Sequence, residues 1–558
     1  MKWDYLDHAA ARGADGLRVV LLAFALAASA CGGSGGGGGD AGTPRSEPLL
    51  PPPSPKDASA FTNAPELHLA SGVAPEHIVR ISQNALRQYE HLTIASLQGL
   101  VARGSTELIW IEPNEDQPWI DHVVATRGIT WDREFDALDM LARFRDHIPG
   151  YVRIDSQGLP DSINAGISFA GLVGAIAVDR RQELHVAPLE IPMLNDLTGY
   201  DEAHLLAEHP GAFDRSIVFE QREDILPLLK DLPVLTGGFV YHDGEGRSPF
   251  GLSVLASQPP GGFLMGWRGQ QSEQPMVEDA SLNSLALIAC DTCQNLSTLA
   301  QFSYQPPVRA PRPPVPALEP GVHYVSLLVT DGDNIGFLMN DVWKQKYFGN
   351  GLRGTYPLTW ELSPALVRIA PPILEWYLGH GTPNDSFVAG PSGKGYILPH
   401  LEPNLNRFLD ETEPMLWESG LHIATVIDEL PIASGAYNPY LNRASIDAVI
   451  AKIGRYYSAG QGAVRWVGDK PIISVRTAIW EGFQTPEQAA AAISALPRAP
   501  GANTDAVSVV VIHPFSRFGA SERDYALVEI GRRFRDSLAS HVRLVPIEEL
   551  IQHAKELR

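Results

Sequence analysis

Downstream of residue 321 the chain alternates short apolar runs with longer amphipathic segments, and no other feature restricts its fold as strongly. The runs YVSLLVT, PLTW, DSFVAG, IATVID, PIISVRTA, AVSVVVIH and VRLVPI are short and mostly rich in β-branched residues, so they read as strands. Between most of them lie stretches of helical periodicity: PALVRIAPPILEWYLGH, LNRFLDETEPMLWESG, NRASIDAVIAKIGRYYSAG, TPEQAAAAISALP and ERDYALVEIGRRFRDSLASH. Strands joined through helices run parallel, because a tight turn cannot bring the chain back in the same direction. About seven such units predict an α/β domain closed, or nearly closed, into a (β/α) barrel, with an open doubly wound sheet as the alternative.

Either arrangement gathers the residues that follow each strand at one rim, where such folds place function. Asp331, Asp333 and Asn334 follow the first run, and Trp360 with Glu361 ends the second. Gly393, Gly395 and Tyr396 lie in GPSGKGYILP after the third, Asp428 and Glu429 follow the fourth, Trp480 and Glu481 the fifth, and His513 the sixth. A single carboxylate at a strand end is as readily a turn or helix-capping residue. Several on one rim, interleaved with Trp360, Tyr396, Trp480 and Phe515, suit a sugar, whose C–H faces stack on rings while its hydroxyls hydrogen-bond. Asp333 and Glu361 are the favoured acid pair because they follow successive strands. Asp331, Asp428, Glu429 and Glu481 complete the acids, with one of the adjacent pair Asp428 and Glu429 expected to face the pocket. Asn334, Trp360, Gly393, Gly395, Tyr396, Trp480 and His513 are the candidate substrate contacts. The loop glycines would let the backbone approach a ligand and project Tyr396 from a stiffened turn.

The proline-rich stretch YQPPVRAPRPPVPALEPG excludes helix and central strand, so residues 306–320 read as a linker between a region at 62–305 and one at 321–558. In the first region EHLTIASLQGLVARG reads as helix and ELIWIEP as a buried strand, with FAGLVGAIAVD, RSIVFE, VLTGGFVYHD and NSLALIACD as further strands. An α/β region of one or two subdomains follows. At the start of the chain Lys2, Arg12 and Arg18 precede VVLLAFALAASA, too short for a bilayer span, which predicts a signal peptide over 1–30. Small residues before Cys31 predict lipidation of that cysteine, although Ala28 replaces the usual leucine. The Gly/Ser and then Pro-rich tract 31–61 would tether the folded part to a membrane. The expected location is the bacterial cell envelope, on the outer membrane given Gly32, with plain secretion as the alternative.

The formal charge of −22 repels nucleic acid, so a neutral or weakly charged partner is expected. Cys290 and Cys293 form a lone CxxC without the further ligands of a zinc site and read as packed thiols. No GKS or GKT follows Lys394, so its loop is no phosphate cradle. Neither a metal nor a cofactor is expected.

GKGYILP, Gly393 to Pro399, resembles the motif that names the GxGYxYP glycoside hydrolase family. VTDGDNIGF, WELSPAL with APPILEWY, and NDSFVAGPSGKGY resemble that family's other stretches, and TIASLQGLVAR and CDTCQNLS its N-terminal region. Leu398 departs from the motif, which has its second tyrosine there. The resemblance implies hydrolysis of an extracytoplasmic poly- or oligosaccharide by two carboxyl groups, one protonated and one ionised. Two other classes fit the same residues. One is a carbohydrate-binding lipoprotein without turnover. The other is a metal-dependent carbohydrate deacetylase, in which the acids after the first strand and His513 would hold a metal.

Overall fold

The computed structural model describes Leu67 and residues 69–558 other than 116, 226–227, 245, 270–272, 500–503 and 520–525. The expected signal peptide, Cys31 and the tether lie outside the described residues. Among the described residues no helix is long and apolar enough to cross a membrane.

The region before the linker holds three parallel sheets, where one or two subdomains are expected. The first is built from β1 (His77–Ser82), β2 (Glu107–Glu112) and β3 (Thr130–Arg133), the second from β4 (Tyr151–Ile154), β5 (Ile176–Asp179) and β6 (Met193–Asp196). The third contains β7 (Asp214–Glu220), β8 (Gly238–Tyr241), β9 (Phe263–Gly266) and β10 (Ala286–Ile288). Each places its first strand between the second and third, so the region is one α/β unit used three times. FAGLVGAIAVD, expected as strand, divides between the end of the helix Ser162–Val173 and β5. That helix is buried on nearly all sides and has no polar face to betray its period.

The second strand of each unit is a sheet edge, and side chains from a neighbouring unit cap it. Thr93 Oγ1 donates to Ala177 O at 2.8 Å while Ser96 Oγ accepts from Ala177 N at 2.9 Å, both on β5. Ser168 Oγ accepts from Val240 N on β8 at 2.8 Å. The Asn295 amide bonds both N and O of Ile111 on β2, each at 2.9 Å. Edge groups that would otherwise be unpaired are thereby satisfied, and the third unit closes back on the first. The crossing helices meet through glycine: a Cβ on Gly99 would stand 2.1 Å from Asp231 O, and one on Gly171 2.8 Å from Pro233 O.

The second region is a closed barrel of seven parallel strands, as the alternation of runs predicts. They are β11 (His323–Val329), β12 (Leu358–Leu362), β13 (Asp385–Ala389), β14 (Ile423–Asp428), β15 (Ala448–Ile453), β17 (Lys470–Ile479) and β18 (Val507–Ile512), while β16 (Val464–Val467) pairs antiparallel on β17. Pairing of Leu328 and Val329 with Thr359 and Trp360 closes the ring. Two elements differ from expectation. AVIAKI, read within a helical stretch, is β15; buried on both faces, it is apolar but for Lys452, and its period is hidden. VRLVPI supplies only β19 (Val542–Leu544), which pairs with the lower end of β11 beside the ring.

The GKGYILP loop joins the regions. Tyr396 N donates to Leu287 O on β10 at 2.8 Å, Leu287 N returns a bond to Tyr396 O at 3.3 Å, and Lys394 Nζ reaches Gly261 O at 2.8 Å. On the barrel's outer layer Glu375 pairs with Arg127 of the first unit at 2.6 Å. Residues 306–320 run without regular secondary structure, and Arg309 Nη2 ties them to Ser419 O at 2.6 Å.

Candidate active site

Strand β11 delivers its acids through a strained turn. Asp331 has φ 74°, in the left-handed region that costs a non-glycine residue on the order of 1 kcal/mol and that clusters at functional sites. Gly332 follows where a Cβ would lie 2.3 Å from the Glu361 carbonyl, so only glycine lets the turn lie against β12. Asn334 then closes the turn: its Oδ1 accepts from Phe337 N at 2.9 Å. Asp331 and Asp333 emerge at the barrel mouth, partly accessible yet walled by protein.

Beneath them Glu361 is locked. Its Oε1 lies 2.6 Å from Lys452 Nζ and its Oε2 accepts from Thr330 Oγ1 at 3.3 Å, and neither Glu361 nor Lys452 exposes any side-chain surface. Lys452 also donates to Thr330 Oγ1 at 2.9 Å. Burial pushes the Asp331 carboxyl well above the usual carboxylate range; the Asp333 charge adds to this and Lys452 opposes it. Burial likewise raises Asp333, to about 7, with Lys452 pulling down and Glu361 pushing up. Two carboxyls at one strand end are thus both raised, and the charge of Asp333 acts on Asp331 so that they titrate as a coupled pair.

The remaining candidates divide. Trp360 and Glu361 are neighbours on β12 and so point to opposite faces. Glu361 enters the barrel, while Trp360 is buried in the outer layer with its Nε1 donating to Asp385 Oδ1 at 2.9 Å. This corrects the expectation that Trp360 touches substrate. Asp428 is enclosed and clamps the loop after GKGYILP, accepting from His400 N at 3.0 Å and Leu430 N at 3.1 Å. Glu429 is exposed, and its charge reaches Tyr396. Glu481 is bonded to its own rim, its Oε2 accepting from Arg517 N at 3.2 Å. His513 lies flat on Trp480 at 3.7 Å with Nδ1 3.1 Å from Ser516 Oγ, and burial lowers its pKa to about 3. Among the described residues no three or more His, Cys, Asp and Glu side chains group to hold a metal ion.

The motif glycines serve packing rather than a ligand. A Cβ on Gly395 would meet Ala286 Cβ at 2.8 Å and Leu287 O at 2.9 Å, and Gly393, at φ 146°, lies against Phe408 and Thr412. Only close approach to β10 lets Tyr396 turn into the acids, whose charges, with that of Glu273, act on its buried phenol. Leu398 is buried and its N donates to Ser281 Oγ at 2.9 Å.

Lys452, Tyr457 and Glu273 escaped the sequence reading. Lys452 and Tyr457 lie on or just after the strand read as helix. A lysine inside an otherwise apolar run, AVIAKI, was the available signal. Glu273 starts the helix Glu273–Leu282 of the third unit and contributes to the field at Asp331 and Asp333. Nothing in one sequence could bring it there.

Residues 321–517 match the model of the "GxGYxYP putative glycoside hydrolase C-terminal domain", and 77–146 and 148–213 match the family's first and second N-terminal domains. The chain belongs to the GxGYxYP family. This GxGYxYP protein also resembles a solved structure from Bacteroides thetaiotaomicron VPI-5482, described as "a putative hydrolase". The likeness has a TM-score of 0.77 at 26% identity and covers 91% of this chain and 99% of the other. No curated protein matches.

Proposed function

We propose that this GxGYxYP protein hydrolyses glycosidic bonds of an oligo- or polysaccharide, with Asp331 as proton donor and Asp333 as its ionised partner. The carrying observation is the pair of mouth carboxyls whose surroundings raise both, with the Asp333 charge acting on Asp331. The names of the family and of the structural neighbour support hydrolysis and, for the family, a glycoside substrate. In this reading Asp331 gives its proton to the glycosidic oxygen as the C1–O bond breaks. Asp333 takes a proton from the water that adds to C1. Glu361, with no accessible surface, holds Lys452 below the acids and acts as a positioning residue, which moves it out of the expected working pair.

The test is release of reducing sugar from a panel of neutral glycans and aryl glycosides. Asp333→Asn should lower turnover by at least roughly 100-fold in a protein that still melts cooperatively. Undiminished turnover would remove Asp333 from the mechanism. We further propose action outside the cytoplasm on a lipid tether at Cys31. Cys31→Ser should move the protein from the membrane to the soluble fraction, and continued sedimentation would place the anchor elsewhere.

A further inference from the structure

The rim of the barrel mouth carries an aromatic run that the acids do not require. It begins with strain: Tyr456 and Tyr457, in the loop after β15, both occupy the left-handed region, at φ 58° and 61°. Two consecutive non-glycine residues there cost on the order of 1 to 3 kcal/mol each. The result is that the rings part. Tyr457 turns inward, its ring 5.1 Å from Lys452 Nζ and 5.7 Å from Trp480. Tyr456 turns outward, 5.3 Å from Trp480 and stacked on Phe483 at 4.4 Å.

From Trp480 the run continues the other way, through the His513 stack to Phe515 at 5.6 Å and from Phe515 to Phe337 at 4.7 Å. Loops after β15, β17, β18 and β11 all contribute. Phe483 and Phe515 stand at its outer edges, each 44% exposed. Exposed rings in a contiguous patch beside a pocket mark a binding surface. His513 is neutral at ordinary pH and adds no charge to the run, while the Arg455 guanidinium lies 4.8 Å over the outward ring of Tyr456. A chain of net charge −22 repels an anionic glycan, and flat rings take the C–H faces of pyranoses.

We propose that this run is a binding track for the part of a neutral oligosaccharide that extends out of the acid pocket. Tyr457 and Trp480 take the sugar nearest the acids, and Phe483 and Phe515 take those beyond. The inference rests on the hydrolase reading for its link to turnover but not for binding, and the experiment separates the two.

Wild type, Phe483→Ala, Phe515→Ala and the double variant are assayed on 4-nitrophenyl monosaccharides and on neutral gluco-, xylo-, manno- and galacto-oligosaccharides of increasing length. The same proteins are run in native gels containing the corresponding neutral polysaccharides and one anionic polysaccharide. The double variant should lose roughly 10- to 100-fold in kcat/KM on the longest substrate, with the loss shrinking as the chain shortens, and should lose gel retardation. A loss equal at every length, or none, overturns the track and leaves the hydrolase reading intact. Retardation by a neutral polysaccharide that the double variant abolishes, with no hydrolysis by wild type, supports the track and overturns the hydrolase reading. No retardation by any neutral polysaccharide, or retardation by the anionic one alone, overturns the track. Both residues are exposed, so an unchanged Tm is expected and checks that the variants fold.

Discussion

The three N-terminal units and the barrel are built from the same element, a parallel strand followed by a helix, yet they treat the acids at their strand ends in opposite ways. In the units the acids that end β2, β5 and β7 are each answered by an arginine. Glu112 at the end of β2 meets Arg133 at 2.6 Å, Asp179 at the end of β5 meets Arg181 at 2.7 Å, and Glu220 at the end of β7 meets Arg268 at 2.5 Å. In the barrel Asp331 and Asp333 share the field of Lys452, already bonded to Glu361. Burial raises Glu220 too, but a guanidinium meets its charge directly and the pair holds structure together. Acids crowded around a spent cation are left with raised pKa values and protons to transfer.

The sharpest way to break this contrast is to neutralise an acid on each side. Asp331→Asn should cost roughly 10²- to 10⁴-fold in glycan turnover, the range for a general acid, with the fold kept. Near-normal turnover would make Asp331 another structural carboxylate. In the third unit, Arg268→Met leaves Glu220 buried without its cation, while Asp279 keeps Arg247. Urea unfolding should register a loss of about 3–5 kcal/mol, and a loss near zero would mean the units do not depend on their arginines. Gly395→Ala tests the joint between the two regions. The added Cβ has no room against β10, and a destabilisation of about 1–3 kcal/mol is expected from calorimetry; an indifferent variant would show that the loop yields.

The smallest effect has the opposite sign. Asp333 is raised to about 7 in the fold from an ordinary value of 3.8, so the native state favours its protonated form. Its contribution to stability is present below about pH 4 and is lost as pH rises through about 7. Asp333→Asn should therefore melt a few degrees above wild type at pH 8 and level with it near pH 4. A lower Tm at pH 8 would mean that the carboxylate is stabilised after all.

Much of this could be read from the chain. The alternation downstream of residue 321 carries the barrel, and DGDN after YVSLLVT carries its acids, because strand ends of parallel sheets share a rim. Alternation within a strand would have separated Trp360 from Glu361, one outward and one inward. What stayed hidden has a physical reason in each case. A strand buried on both faces, AVIAKI, has no period to distinguish it from a buried helix, so Lys452 and the tyrosines that follow were hidden with it. Gly393 and Gly395 signal close approach without naming what approaches, and the partner is β10 of another unit. Glu273 reaches the site only through that docking.

On this geometry the mouth carboxyls work with protons held above their ordinary range. This is tested most directly by the pH dependence of kcat/KM for glycan hydrolysis, which reports the free enzyme's essential acid and base. Activity should fall on the acid side with an apparent pKa of about 7, as Asp333 loses its charge. An acid limb near 4, where an ordinary aspartate titrates, would contradict the account.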